Sequence, residues 1–299
     1  LFEYLIFPGF LFSAIAGLFT GWFDRKLTAR IQWRKGPPWY QTFLDLVKLT
    51  SKEVIIPTPR RFTFWFSPFL GLFASVLVAT ILGNNLIGQS EGFIGDLIVL
   101  LYLLVIPAIA LILGGSSSNN PLASVGVSRE IKLVLGYELP FILSILVVII
   151  KSQSIKLEEI INHQVIYGSH IFSIAGMIAF LVALLCTQAK LGFVPFDVSE
   201  AEQEIMAGTL IEYSGPLLAI FKLTKAIMFY IMPLLLIGLF LGKDTSGLFL
   251  FLKYILLVVL IVLLKNTNPR LRIDQAIKFF WGPLSFLGVI AVILALSGL

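Results

Sequence analysis

Apolar stretches long enough to cross a lipid bilayer recur along this 299-residue chain and limit what it can fold into. A helix needs about 20 predominantly apolar residues to span the hydrocarbon core. Only 13% of the residues are charged, against about 25% in an average soluble protein. We therefore predict an all-α membrane protein whose residues 1–299 form a single polytopic membrane domain. Its eight predicted transmembrane helices lie near 2–23, 64–84, 93–113, 131–151, 168–188, 214–241, 247–265 and 278–298.

Lysine and arginine are distributed unevenly among the loops between these segments. Sixteen of them lie in the odd-numbered loops, including Arg60 in the first loop, and four lie on the opposite side. Because positively charged loops stay in the cytoplasm, we expect a multi-pass protein of the cell (inner) membrane with both termini on the outer face. The expected cytoplasmic loops are 24–63, 114–130, 189–213 and 266–277.

Two of these loops carry helical patterns of their own. In the first loop, apolar positions at 39, 43, 46 and 47 follow two prolines and trace one helical face, which predicts an amphipathic helix on the lipid headgroups. Surface anchoring is a sufficient alternative explanation for it. In the loop 189–213, Ser199 and Glu202 have the spacing of a capping box, which predicts a short helix over 200–212.

An acidic residue, Glu138, lies inside the apolar stretch 136–150. Placing an acid at the centre of a membrane helix costs about 2.5 to 3.5 kcal/mol. Glu212 begins another apolar span and poses the same problem. We expect these two acids to form a proton or ion site, and a structural ion pair is the alternative. Possible partners are the cations Lys222 and Lys225 and the hydroxyl donors Tyr137 and Tyr213.

Four further acids are crowded into the fifth loop, at Asp197, Glu200, Glu202 and Glu204. On a helix, Glu200 and Glu204 would share a face, where like charges repel each other. Clustered acids of this kind can take up and release protons. The alternative is a solvated acidic segment at a helix N-terminus. The remaining acids near the span ends, Glu91, Asp96 and Glu130, are expected to be solvated or to mark the membrane interface.

Cofactor-binding residues are scarce in this chain. It has one cysteine, Cys186, and two histidines, His163 and His170, which are predicted to lie in one short loop. We therefore expect no disulfide, no metal site and no cofactor held by this chain. Its basic residues lie in loops between spans rather than on one folded face, so we expect the lipid bilayer and no nucleic acid among its partners.

Several segments resemble the H subunit of bacterial NADH–quinone oxidoreductase (mitochondrial complex I subunit one) and its relatives in membrane-bound NiFe hydrogenases. They are Asp-Arg-Lys at 24–26, Gln-Trp-Arg-Lys-Gly-Pro at 32–37, Tyr-Glu at 137–138, Pro-Phe-Asp-Val-Ser-Glu-Ala-Glu at 195–202 and Ile-Glu-Tyr-Ser-Gly at 211–215. The resemblance extends from the first span to the eighth. The signature in the fifth loop is the most specific part of it.

One departure from the quinone-reducing members concerns the first loop. Those members usually carry an insertion before the loop helix, whereas here the chain runs directly from Gly36 to Gln41. Asp24 also stands where those members commonly have glutamate. The short form is similar to the hydrogenase and sulfur-reductase branch, in which ferredoxin is the electron donor.

The resemblance implies a membrane anchor and coupling subunit of a ferredoxin-linked, ion-translocating hydrogenase. Its implied partners are a NiFe-type large subunit, a small iron–sulfur subunit, a ferredoxin-like subunit and antiporter-like membrane subunits, with the NiFe centre and the iron–sulfur clusters held by the other subunits. The implied coupling residues are Asp45, Glu138, Asp197, Glu200, Glu202, Glu204 and Glu212, to which the residues themselves add Lys222 and Lys225. The implied interface with the peripheral arm comprises Arg25 and Arg34, and the neighbouring Lys26, Arg30 and Lys35 are expected to belong to it.

Three other interpretations stay open at this point. The same role could serve a sulfur-reducing or a quinone-reducing relative. A stand-alone carrier or channel would need a substrate site within this chain, with most of its polar groups at mid-membrane. A purely structural anchor would have every acid solvated or paired.

Overall fold

The structure, a computed structural model, describes residues 2–57, 61–87, 95–243 and 247–298. Within these ranges the protein is helical and contains no β-strand. Arg60 and Glu91 lie outside the described residues, and so do the side chains of Ile87 and Glu202.

Thirteen α-helices make up the described part of the chain. They are α1 (Phe2–Leu5), α2 (Phe10–Ile31), α3 (Gln41–Thr50), α4 (Arg61–Ile87), α5 (Asp96–Ser117), α6 (Pro121–Ser152), α7 (Leu157–Tyr167), α8 (Ile174–Lys190), α9 (Glu202–Ile205), α10 (Gly215–Phe240), α11 (Gly247–Thr267), α12 (Ile273–Phe279) and α13 (Ser285–Leu296). Short 3₁₀ helices occupy His170–Phe172 and Gly208–Leu210, and a π-helical segment, Phe280–Leu284, joins α12 to α13.

Seven helical segments in the described ranges are long and apolar enough to cross a membrane. They are α1 with α2, α4, α5, α6, α10, α11, and α12 with α13. The predicted span 168–188 corresponds to α8, which is apolar but has only 17 residues. In the residues that it describes, the structure therefore confirms an all-helical, multi-span fold with seven candidate spans, against the eight that were predicted.

The predicted loops are shorter than the sequence indicates. The expected loop 114–130 is wrong, because α5 continues to Ser117 and α6 begins at Pro121. The side chain of Asn120 accepts a hydrogen bond from the Leu122 amide at 2.9 Å, which caps α6. The predicted helix over 200–212 is also wrong, since only α9 and one 3₁₀ turn form there, and the α9 N-cap is Ala201.

Helix α10 occupies the centre of the bundle. It packs against α2, α4, α6, α7, α8 and α11, and most of its apolar side chains are buried. Around it, α4 pairs with α5, α6 pairs with α8, and α13 packs against both α6 and α8. A charged side chain of α10 that points into the bundle therefore needs a partner inside the protein.

The loops at one end of the bundle contact one another and form what we call the polar end, comprising residues 32–57, 118–120, 191–214 and 268–272. The Leu271 amide donates to the Pro195 carbonyl at 3.0 Å, and the Ile55 amide donates to the Ser214 hydroxyl at 3.3 Å. The predicted helix of the first loop is present here as α3, and its Phe43 packs edge-to-face on Phe19 of α2 at 5.3 Å.

The histidines lie at the opposite end, and the prediction that both lie in one short loop is wrong, because His170 begins a 3₁₀ helix. His163 belongs to α7, and its ring is 5.4 Å from that of His170. Burial lowers the pKa of His170 to about 4. Asp96, expected to be solvated, is instead 1% exposed at the N-terminus of α5, where the helix dipole favours a carboxylate.

Candidate functional site

A cavity of about 370 Å³ lies within the bundle beside the polar end. It is lined by side chains from α5, α6, α8, the loop 191–201 and α10. Two acids and three cations face it, together with Ser199 and Tyr137, while much of the remaining lining is apolar. The charged residues are Glu130, Lys190, Glu200, Lys222 and Lys225.

The intramembrane acid Glu138 forms an ion pair with Lys190, the last residue of α8. The Lys190 side chain is only 1% exposed, and its ammonium group also lies over the rings of Tyr137 and Phe141, at 4.9 and 4.7 Å from their centres. The predicted pairing of Glu138 with a lysine of α10 is therefore wrong. From the sequence, Lys190 is predicted to lie in the fifth loop. It reaches Glu138 because α8 extends to residue 190 and packs against α6.

Glu130 is the acid whose environment departs most from the sequence prediction. It was expected to be solvated or to mark the membrane interface, yet it is only 7% exposed and lines the cavity. Its carboxyl group bonds to the side chain of Ser199, and it forms no ion pair among the described side chains. Its spacing of seven residues from Tyr137 places both on one face of α6, a signal that the sequence contained.

Three acids of the fifth loop, Asp197, Glu200 and Glu204, each contact a different cation. Glu200 bonds to Lys225 of α10 at 2.6 Å, and the guanidinium group of Arg270 bonds to Asp197 with an Nε–Oδ1 distance of 2.8 Å. Glu204 points outward to Arg129 at 2.6 Å, so it does not share a helical face with Glu200.

Glu212 lies in the turn before α10, at the polar end, rather than within a span. The side chain of Asn120 donates a hydrogen bond to it at 2.6 Å, so the predicted pairing with Lys222 or Lys225 is wrong. Its neighbour Tyr213 donates to the Phe64 carbonyl at 3.0 Å. The Phe64 carbonyl lacks its usual helical hydrogen bond, because the residue four positions later is Pro68, which has no amide hydrogen. Burial raises the pKa of Tyr213 to about 12.

A second cavity, of about 220 Å³, connects the first loop with α10. Asp24, Arg25 and Asp45 line it on one side, and Lys222 and Lys225, which also line the larger cavity, on the other. A third cavity, of about 270 Å³, continues from this point to the basic residues of the first loop. Charged side chains therefore follow one another from the first loop to the interior of the bundle.

The acids of this second cavity are also paired. Buried Asp24 bonds to Lys265 of α11 at 2.7 Å. Asp45 of α3 bonds to Arg25 at 2.7 Å. Burial opposes ionisation of Asp45, but hydrogen bonds from Arg25 and Gln41 outweigh it and lower the pKa of Asp45.

The ring of Phe193 lies close to the cations of two of these ion pairs. The ammonium group of Lys265 is 4.8 Å from the ring centre and that of Lys225 is 5.9 Å from it. The ring therefore contacts the cations of both the Asp24–Lys265 pair and the Glu200–Lys225 pair. Lys222 is exposed and forms no ion pair among the side chains that the structure describes.

The first and second cavities hold acids and cations that lie close to one another and are partly shielded from solvent. Charge interactions are stronger in such a place than in water, so a change of charge at one group shifts the protonation equilibrium of the next. The arrangement can transmit charge changes or protons. Among the described residues, no group of three histidines, cysteines or acids is placed to bind a metal ion.

Comparisons with known proteins agree with this architecture. The chain matches the protein family described as NADH dehydrogenase over residues 3–296. It is 32% identical to the H subunit of the NADH-quinone oxidoreductase of Dehalococcoides mccartyi, over 91% of this chain and 79% of that protein. It is 30% identical to the same subunit of Carboxydothermus hydrogenoformans, over 90% and 81% of the two chains.

Among solved structures, the fold is similar to a chain of the membrane-bound sulfane sulfur reductase, an archaeal respiratory membrane complex. The TM-score is 0.88 and the identity 28%, over 95% of this chain and 96% of that one. The chain thus belongs to the NADH dehydrogenase family, as a membrane subunit similar to the H subunit of NADH-quinone oxidoreductase.

Proposed function

We propose that this chain is the membrane anchor and coupling subunit of a ferredoxin-linked, ion-translocating membrane-bound hydrogenase. The observation that carries the proposal is the cavity in which Glu130, Glu200, Lys190 and Lys225 face one another inside the bundle. A redox event beside the polar end changes the local charge, and these groups pass that change to antiporter-like membrane subunits. The chain itself supplies no redox cofactor, so electrons stay in the peripheral subunits.

Between Gly36 and Gln41 the chain lacks the insertion that quinone-reducing members usually carry. This short form supports the hydrogenase and sulfur-reductase branch over the quinone-reducing one. Sulfur reduction is the second candidate function, and the similarity to a chain of a sulfane sulfur reductase favours it. The large subunit that co-purifies with this chain distinguishes the two candidates. Four NiFe-ligating cysteines in it indicate a hydrogenase, and their loss indicates another acceptor.

A stand-alone carrier is less well supported. Such a protein needs its substrate site near mid-membrane, usually at broken helices. In the described part of this chain, most charged groups lie in or beside the polar end, where the ion pairs of Arg25, Arg129 and Arg270 also lie.

We also propose eight membrane crossings, including α8, with both termini outside and the polar end in the cytoplasm. The lone cysteine, Cys186, is buried and gives a low labelling background. Gln203→Cys, at the polar end, should react with a membrane-impermeant maleimide only in inside-out vesicles. Tyr167→Cys, 77% exposed at the opposite end, should react only in right-side-out vesicles. Labelling of both positions from the same side contradicts this topology.

Coupling itself is tested by Glu200→Gln in the purified complex reconstituted into liposomes. The amide keeps the size of the side chain but cannot exchange a proton, and Lys225 remains partly solvated because its side chain is 36% exposed. We expect electron transfer from the soluble donor to continue while the ions moved per electron fall severalfold. The measurement pairs a fluorescent ion-gradient assay with the rate of donor oxidation.

The matched control is Glu159→Gln, an exposed acid at the opposite end that pairs with Lys156 at 3.2 Å. This control should translocate ions like the wild type. Equal translocation by Glu200→Gln and the wild type would show that Glu200 is not a coupling residue.

A further inference from the structure

Trp33, at the polar end, is 99% exposed, more than any other large apolar side chain in the described residues. Trp39, Trp65 and Trp281 are exposed by 57%, 48% and 61%. A fully exposed indole gains nothing from packing within its own chain, and such apolar groups commonly mark contact sites.

The backbone at Trp33 is also strained. The Arg34 amide donates to the Ala29 carbonyl at 2.7 Å and the Trp33 amide to the Arg30 carbonyl at 3.2 Å, which is the Schellman pattern that ends a helix. Trp33 occupies the left-handed position of this pattern, with φ of 57°, where glycine is usual. Strain without compensating contacts indicates a function outside the folded chain.

The position of Trp33 just beyond the end of α2 places it in water rather than among lipid headgroups. The consecutive charges Asp24, Arg25 and Lys26 mark where α2 leaves the hydrocarbon core. The last residue of α2, Ile31, is about 10 Å further along at the rise of an α-helix, and Trp33 lies two residues beyond it. The headgroup layer on each side of a bilayer is only about 5 to 8 Å thick.

The surroundings of Trp33 are strongly basic. Arg30, Arg34 and Lys35 are exposed and form no ion pair among the described side chains. A partner that covers this surface therefore needs acidic groups around an apolar pocket. Tryptophan and arginine are also the residues that most often dominate protein–protein binding.

We propose that Trp33 is the anchor by which the polar end binds a soluble, acidic protein subunit. This inference rests on the proposed function, because it assumes that a peripheral redox arm docks at the polar end. The indole enters a pocket on that subunit, and Arg30, Arg34 and Lys35 face its acidic rim.

The first test measures how firmly the soluble subunits stay bound to the affinity-purified complex as the salt concentration rises. Trp33→Ala should weaken their retention on the order of tenfold, the effect of removing a binding hot spot. The variant Trp33→Phe should keep part of the wild-type retention of the soluble subunits. The control Trp65→Ala removes an exposed indole from α4 and should leave retention unchanged.

Trp33→Gly separates docking from folding. Glycine relieves the left-handed strain, so the thermal stability of the membrane subunit should equal or exceed that of the wild type while retention falls. Hydroxyl-radical footprinting of the intact complex should find Trp33 protected, and removal of the soluble arm should expose it to oxidation.

Unchanged retention in both Trp33→Ala and Trp33→Gly would overturn the inference. Protection of Trp33 in a lipid nanodisc that holds no soluble subunit would also overturn it, by assigning the indole to the membrane. If no soluble redox subunit co-purifies even with the wild type, the proposed function itself fails.

Discussion

Replacing Lys190 with methionine should destabilise the protein by about 3 to 5 kcal/mol, the cost of removing one partner of a buried ion pair. The Lys190 side chain is 1% exposed and that of Glu138 is 20% exposed, so the remaining carboxylate is poorly solvated. The loss also removes the cation from the faces of Tyr137 and Phe141. The expected readout is a lower thermal unfolding temperature of the purified chain in detergent.

The double variant Lys190→Met/Glu138→Gln should recover most of this stability, because neither side chain is then left as an unpaired buried charge. The single variant Glu138→Gln leaves Lys190 buried without its carboxylate. Its unfolding temperature should lie between those of Lys190→Met and the double variant. Lys132→Met, at an exposed position of α6, is the matched control and should unfold like the wild type.

The same double variant distinguishes a structural ion pair from a coupling group. If Glu138 carries charge changes onward, the double variant folds and assembles but moves fewer ions per electron. Wild-type translocation by a stable double variant would show that the pair only holds α6 against α8. Wild-type stability of Lys190→Met would instead contradict the burial of the pair.

The helices could be predicted from the sequence because an apolar run of about 20 residues has few alternatives to a membrane helix. Helix ends were harder to predict. The predicted span 93–113 ends just before Gly114 and Gly115, yet α5 continues through them. A Cβ at Gly114 would lie 2.5 Å from the Tyr213 hydroxyl oxygen, and one at Gly115 would lie 2.6 Å from Val127. These glycines permit close packing of elements that are distant in sequence.

The sequence drew attention to Glu138 and Glu200 but not to the buried Glu130, and it did not identify the cation that each acid meets. Glu200 lines the charged cavity, and Glu138 adjoins it through its ion pair with Lys190. Which cation each one meets depends on how α6, α8 and α10 pack, and a one-dimensional pattern does not contain that arrangement. The position of Glu212 could not be predicted for a related reason. An acid next to an apolar run can lie inside the helix or before its first residue, and Glu212 lies before α10.

Glu130→Gln should have the largest effect on coupling with the smallest effect on folding. Glu130 is buried, bonds to Ser199 and has no cationic partner among the described side chains, so its neutralisation leaves no unpaired charge behind. An amide of the same shape keeps the hydrogen bond to Ser199 while losing the exchangeable proton. We therefore expect an unfolding temperature equal to or above that of the wild type.

Translocation should fall in this variant far more than donor oxidation does, since a proton relay fails when one member cannot ionise. The test measures both rates in proteoliposomes, with Glu130→Asp as the variant that keeps an ionisable group and should retain part of the coupling. Because the fold is expected to survive, a loss of coupling cannot be attributed to misassembly. If Glu130→Gln translocates ions as well as Glu130→Asp and the wild type, the buried carboxyl lies outside the path, and the charge change must pass from Glu200 to Lys190 without it.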